Sequence, residues 1–92
     1  MTGPANYVEV TSDALVKTGP CRIVGVVLTP AAAKSSLILY DNTAASGSII
    51  ATLQAAADGA SVVLPLPNGI SLSKGCYADI GGSGATAYVY LA

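Results

Sequence analysis

Short apolar runs recur about every ten residues along the chain, separated by clusters of Gly, Pro, Asn, Asp and Ser. The runs are rich in Val, Ile, Leu, Tyr and Thr, the residue types that suit a pleated, half-buried strand. Strands are predicted at 7–11, 14–17, 21–28, 36–40, 49–54, 61–64, 76–80 and 86–91. The first two are also compatible with one bent strand.

This pattern predicts an all-β fold, a compact antiparallel β-sandwich of jelly-roll or immunoglobulin-like type with seven to eight short strands. The 92 residues suffice for one domain, assigned to 7–92, preceded by an N-terminal arm at 1–6. A domain of this size buries only roughly 60–65% of the surface that its unfolded chain exposes. Its margin of stability is therefore thin.

Turn residues interrupt the runs where tight turns require positive or fixed φ. They are Gly19-Pro20, Asp41-Asn42, Asp58-Gly59, Asn68-Gly69 and the segment 81–84. The glycine-rich segment 81–84 predicts a hairpin between the last two strands. Residues 52–57 have helix propensity, but the stretch is short and Asp58-Gly59 ends it, so we favour a strand followed by a turn.

Two predicted strands, within 22–28 and 37–40, carry branched aliphatic residues at both sets of alternate positions. Antiparallel sheets usually leave one face in water, so a neighbouring subunit is expected to cover the second face. The C-terminal strand has the same two-sided character. The candidate oligomer-interface residues are Val24, Val26, Leu28, Ile38, Tyr40, Tyr88 and Tyr90. The alternative is central strands covered by a loop of the same chain, such as 55–60.

Hydrophobic residues make up 52% of the chain and charged residues only 10%, more apolar surface than one small domain can enclose. No stretch approaches the roughly 18 apolar residues of a spanning helix. The N-terminus lacks the basic and apolar regions of a signal peptide, so we expect synthesis in the cytoplasm and no membrane partner. The excess apolar surface is expected to be buried in a homo-oligomer.

The net charge is −1, and the four basic residues stand singly rather than in a stripe. We therefore expect no nucleic-acid partner. The two cysteines, Cys21 and Cys76, are too few for a disulfide scaffold, and their spacing does not suggest a metal site. Whether they pair is left open by the sequence.

The chain has no histidine, which removes the usual general base of neutral-pH catalysis. The carboxylates lie mostly in predicted turns, where they cap backbone amides. The segment 81–84 is not followed by a helix, as a phosphate-binding loop requires. We accordingly predict no catalytic, cofactor-binding or metal-binding residues. The chain lacks Trp and Phe, so only its five tyrosines could offer a carbohydrate platform.

Several segments between Arg22 and Leu91 share an overall pattern with one class of proteins: 24–28, 37–43, 45–47, 67–70, 74–77 and 84–90. This pattern resembles small virion proteins of tailed bacteriophages, of the capsid decoration (cement) or head-spike type. It also fits a tail or fibre-base component. Cys76 stands where such proteins are expected to have an aliphatic residue, and no functional residues carry over.

The resemblance implies a homo-oligomer, expected to be a trimer, on the exterior of an icosahedral shell, with the major capsid protein as its partner. Such a protein adds buried area across subunits, and its repeated copies add avidity. The N-terminal arm is a candidate capsid contact, formed by Thr2, Gly3, Pro4, Ala5 and Asn6.

The leading functional hypothesis is therefore a structural, capsid-decorating protein without enzymatic activity. The alternative is an adhesion or glycan-binding module of a tail or fibre, which an exposed cluster of tyrosines would favour. An enzyme is a third possibility, which the absence of histidine and of any catalytic motif disfavours.

Overall fold

A computed structural model describes residues 6–92, and all of the regular structure in this range is β-strand. The strands are β1 (Asn6–Val10), β2 (Ala14–Thr18), β3 (Cys21–Thr29), β4 (Ser35–Asp41), β5 (Ser48–Ala55), β6 (Val62–Leu72), β7 (Gly75–Gly81) and β8 (Thr86–Leu91). The predicted all-β fold is confirmed. Residues 52–55 belong to β5, as predicted, rather than to a helix. The described part of the chain contains no helix that could cross a membrane.

The strands form two four-stranded antiparallel sheets that pack as a sandwich. Sheet I has the order β1-β8-β3-β6, and sheet II has the order β2-β7-β4-β5. The chain is thus folded in half at the β4–β5 loop, so that β4 pairs with β5, β3 with β6, β2 with β7 and β1 with β8. Rolling this double ribbon into two sheets gives the jelly-roll topology, one of the two predicted types.

The predicted hairpin between the last two strands is wrong, because β7 lies in sheet II and β8 in sheet I. Both edges of β7 are already paired, one with β2 and the other with β4, so β8 has no free edge to join. A tight turn, in which the Ala85 N–H donates to the Gly82 carbonyl at 3.4 Å, carries the chain across to the other sheet. β1 and β2 likewise lie in different sheets and are separate strands.

The Asn68-Gly69 pair does not separate strands as predicted, because β6 continues through it to Leu72. Ile23 pairs with Ile70 whereas Gly25 pairs with Pro65, so residues 66–69 bulge from the ladder opposite a single residue of β3. The Arg22 guanidinium donates to the Asn68 carbonyl and ties down this bulge. β6 is an edge strand of sheet I, which is where proline is tolerated within a sheet.

The core lies between the sheets and is built from the alternate residues of each strand that point inward. Its largest fully buried side chains are Ile23, Leu28, Leu37, Leu39, Val10, Val26, Val89 and Cys76. Two predicted interface residues, Val26 and Leu28, are among them, at 1% and 0% exposure. They stabilise the protomer itself and are not available to a second chain.

Candidate functional site

The two outer faces of the sandwich are the broad surfaces of the molecule, whose Cα atoms span 36 × 34 × 17 Å. An antiparallel sheet with one buried face normally presents polar residues on the other. Here both outer faces carry aromatic and aliphatic side chains as well as polar ones. These faces are the candidate functional surfaces.

The outer face of sheet II carries a row of four apolar or aromatic side chains, one from each strand. Register aligns Leu15 with Tyr77, Tyr77 with Tyr40, and Tyr40 with Ile49. The two ends of this row are well exposed, Leu15 at 43% and Ile49 at 57%. We call these four residues the apolar row, and it crosses the sheet from edge to edge.

A pair of carboxylates lies beside the apolar row. Asp79 is on β7 opposite Ile38, and Asp13 precedes β2, where its Oδ1 accepts a hydrogen bond from the Ile80 N–H at 2.9 Å. Burial raises the pKa of Asp79, and the adjacent Asp13 carboxylate raises it further. Ionisation of Asp79 is therefore less favourable in the folded chain than in the unfolded chain.

Replacing Asp79 by Asn is expected to raise the melting temperature at pH 7. Because the folded-state pKa of Asp79 is above the usual 3.8, its ionisation destabilises the fold at neutral pH, and protonation relieves the penalty as the pH falls. The gain from D79N should therefore shrink through the raised pKa and vanish below about 3.8. Thermal unfolding of both proteins between pH 3 and 8 measures this.

Asp41→Asn is the matched control, and we expect it to change the melting temperature in the opposite direction. The Lys74 N–H donates to Asp41 Oδ1 at 3.0 Å, and this bond lowers the pKa of Asp41 below 3.8. The stabilisation is present above 3.8 and is lost as the pH falls through the lowered pKa, so D41N should melt lower than the wild type at pH 7. A D79N variant that melts below the wild type at pH 7 would contradict the inference that the Asp13–Asp79 pair destabilises the fold.

The outer face of sheet I carries two aligned rows of side chains. The first row runs Tyr7, Tyr90, Gly25, Pro65, and the second runs Glu9, Tyr88, Val27, Val63. The outermost positions are open to solvent, with Tyr7 at 60% and Val63 at 61% exposure. The face therefore changes from aromatic at the β1 edge to aliphatic at the β6 edge.

Tyr7, Tyr88 and Tyr90 form a tyrosine cluster at the β1 edge of sheet I. The Tyr7 ring centroid lies 6.1 Å from that of Tyr88 and 6.0 Å from that of Tyr90, with both pairs tilted. The Tyr88 hydroxyl donates to Glu9 Oε2 at 3.2 Å, and this hydrogen bond raises the pKa of Tyr88. Gly25, opposite Tyr90, has no side chain, and a Cβ there would lie 3.8 Å from Tyr90 Cδ2.

The predicted interface residues do not form one surface. Ile38 and Tyr40 are half-buried on the outer face of sheet II, Tyr88 and Tyr90 are half-buried on that of sheet I, and Val24 lies at the β3 irregularity. Sequence reasoning missed the most exposed members, which are Tyr7, Leu15, Ile49 and Val63. Each stands next to another apolar residue in its strand, and only cross-strand register shows which of the two shares an outer face with the others.

The candidate capsid-contact residues Thr2, Gly3, Pro4 and Ala5 lie outside the described residues. Asn6, the fifth, is the first residue of β1 and pairs with Leu91. It therefore belongs to sheet I rather than to an arm.

Both cysteines are free thiols, Cys76 in the core and Cys21 half-buried. Burial, followed by the influence of Cys21 and Asp41, raises the pKa of Cys76 to about 12. A thiol with this pKa is almost entirely protonated at neutral pH and a poor nucleophile. Within 6–92, no group of three or more Cys, Asp or Glu side chains is arranged to hold a metal ion.

A cleft of about 460 Å³ opens where β4, β5 and the β7–β8 loop meet. Its walls are Lys34, Ser35, Ser36, Gln54, Ala55, Ala56, Gly81 and Gly82. Its lining residues include two serines and a lysine, but no carboxylate, histidine or thiol.

Comparison with known proteins finds no match to this chain among protein-family models, curated proteins or solved structures.

Proposed function

We propose that this chain is a non-enzymatic structural protein that self-associates through the outer face of sheet II and decorates the outside of a phage capsid. The observation that carries the self-association is the apolar row, which joins Leu15, Tyr77, Tyr40 and Ile49 across all four strands. A continuous apolar surface of this kind on a soluble protein usually marks an interface.

No loop of the described chain shields the ends of this row, because Leu15 and Ile49 remain 43% and 57% exposed. In the segment 55–60, proposed from the sequence as a possible cover, Ala55 is the buried last residue of β5 and residues 56–60 are themselves exposed. The alternative of burial within the protomer therefore does not account for the row, whereas a second copy of the chain would cover it.

The size of the face suits a stable contact. Specific interfaces bury roughly 800 Å² per partner, and a face of 36 × 34 Å offers more than that. Aromatic side chains such as Tyr40 and Tyr77 are frequent anchors at the centre of such contacts. With Leu15 and Ile49 at the ends, burial of the row supplies the hydrophobic stabilisation that a small protomer lacks.

The capsid assignment is supported by the resemblance of segments 24–28, 37–43 and 84–90 to decoration and head-spike proteins. Jelly rolls recur in viral capsid proteins, although they also occur in lectins and enzymes, so the topology agrees with the proposal without deciding it. A trimer bound at capsomer junctions would gain avidity from its three copies.

Ile49→Lys tests the proposal, and Val63→Lys is its matched control. Both replace a well-exposed aliphatic residue on an edge strand, at 57% and 61% exposure, but on opposite faces of the sandwich. Light scattering coupled to gel filtration is expected to show an oligomer for the wild type and V63K, and a monomer for I49K. The lysine charge would have to be buried without a partner in the contact.

The same variants test capsid binding when they are produced in the source phage in place of the wild type. Wild type and V63K should band with intact heads in a density gradient and be labelled there by antibody on the outside, whereas I49K should be depleted. A monomeric wild type at micromolar concentration would overturn the self-association, and absence of the wild type from the particle band would overturn the capsid assignment.

A further inference from the structure

The tyrosine cluster on sheet I faces away from the apolar row, so self-association through sheet II would leave it open. It combines three aromatic rings, with Tyr7 about 6 Å from each of the other two, and a carboxylate that accepts a hydrogen bond from one of the phenols. The Tyr88 hydroxyl donates a hydrogen bond to Oε2 of Glu9, and the Glu9 side chain is exposed to solvent. Apolar rings beside an accessible hydrogen-bond acceptor suit a ligand that has both an apolar surface and hydroxyl groups.

We propose that Tyr7, Tyr88, Tyr90 and Glu9 form a shallow binding site for a neutral, β-linked saccharide. This inference goes beyond capsid decoration and does not depend on it, because the site lies on the other face of the sandwich. It gives the protein a second activity, attachment to a polysaccharide surface.

The chemistry of a β-linked pyranose matches both parts of the site. When the ring substituents are equatorial, the two faces of the sugar expose only C–H groups, which pack on aromatic rings, and its edge carries the hydroxyls. Tyrosine suits this contact because it offers an apolar ring and a polar tip. The ring edge of the sugar would then donate hydrogen bonds to Glu9, and bonds to an ionised acceptor are the stronger ones.

A second copy of the chain is a poorer occupant of this face. Glu9 stands in the same row as Tyr88 and Val27, so a flat apolar partner would bury its carboxylate without a counter-charge, which is costly. The next positions along the face are also polar, with Thr29 Oγ1 and Ser61 Oγ 3.0 Å apart. A saccharide can donate to Glu9, and its other hydroxyls can remain partly in water.

The charge of the site sets its selectivity. Glu9 carries the carboxylate of the cluster, and the groups beside it are phenols. An acidic saccharide would place a second negative charge against Glu9, whereas a neutral saccharide would not. The site should therefore prefer neutral glucose or N-acetylglucosamine chains to uronic acid chains.

The test is an NMR titration with cellotetraose, chitotetraose and β-(1→4)-linked tetraglucuronate at up to millimolar concentration. We expect one or both neutral tetrasaccharides to shift the backbone amides of β1 and β8, and tetraglucuronate to bind more weakly. Tyr7→Ala should weaken binding about threefold to tenfold, the value of one aromatic contact. Tyr7 is 60% exposed, so this variant should keep the fold.

Val63→Ala is the matched control, on the same face and at 61% exposure but outside the cluster, and it should bind as the wild type does. Glu9→Gln should reduce the preference for neutral over acidic chains. The proposal is overturned if none of the three saccharides shifts any amide, if the shifts map to sheet II or to the Lys34 cleft, or if Y7A and V63A bind alike. A preference for tetraglucuronate would overturn the neutral class.

Discussion

Leu39→Ala is expected to destabilise the fold by about 3–4 kcal/mol, because it leaves a cavity in a close-packed core. Leu39 is at 0% exposure in the middle of sheet II, between β5 and β7 in register with Ala51 and Ala78. Those two neighbours are already small, so they cannot move in to fill the space. The cost is the lost burial of the leucine plus the cavity that remains.

That loss is large against the total stability of a small domain, which is roughly 5–14 kcal/mol for a chain of this length. Urea unfolding of the wild type and L39A at the same oligomeric state measures it, with Leu15→Ala as the matched control. Leu15 is 43% exposed on the same sheet, so its truncation should cost less than about 1 kcal/mol in the protomer. Equal losses for the two variants would show that Leu39 is not in a tightly packed interior.

The strand positions could be predicted because they depend on local sequence. Alternation, β-branched residues and turn clusters place the predicted ends of β3 and β4 within one residue of the observed ends. The predicted and observed bounds of β8 are identical. The length of β6 was missed because Pro65 and Asn68-Gly69 are signals of interruption. On an edge strand they are absorbed into a bulge instead, and the bulge is visible only once β3 is placed beside β6.

Most strand partners could not be predicted, because every pair except β4–β5 joins distant parts of the chain. Tyr7 pairs with Tyr90 and Leu15 with Tyr77, and nothing near any of these residues in the sequence selects the other. The segment 81–84 has the composition of a hairpin loop. The long-range pairs β2–β7 and β4–β7 override that local preference by occupying both edges of β7.

Only part of each candidate surface could be predicted from the sequence, for the same reason. Apolar residues on both faces of a strand indicate a second contact, but they do not say which face is the core. In β3, Val26 and Leu28 point inward and Val27 points outward, although the three side chains are chemically alike. Sheet packing makes that choice, and register then gathers single residues such as Ile49 and Leu15 into one row.

Gly82→Ala is the second large effect expected, because this glycine makes the crossing from β7 to β8 possible. Its φ is +103°, a conformation that side-chain-bearing residues rarely adopt, and a Cβ there would lie 2.6 Å from the Lys34 carbonyl oxygen and 2.9 Å from Ser35 Cα. Both of those atoms belong to the backbone at the start of β4, so a change of side-chain rotamer cannot relieve the clash. Relieving the clash requires the loop to move away from sheet II.

The expected loss is roughly 3 kcal/mol, the sum of an unfavourable φ and an overpacked contact. Gly19→Ala separates the two causes, since Gly19 has φ +82° but nothing within 4 Å of the added Cβ. It should therefore cost only about 1 kcal/mol, the backbone part alone. Urea unfolding of G82A and G19A decides the matter. If G82A is no less stable than G19A, the loop is free to shift away from the start of β4 and the contact with Lys34 and Ser35 does not constrain it.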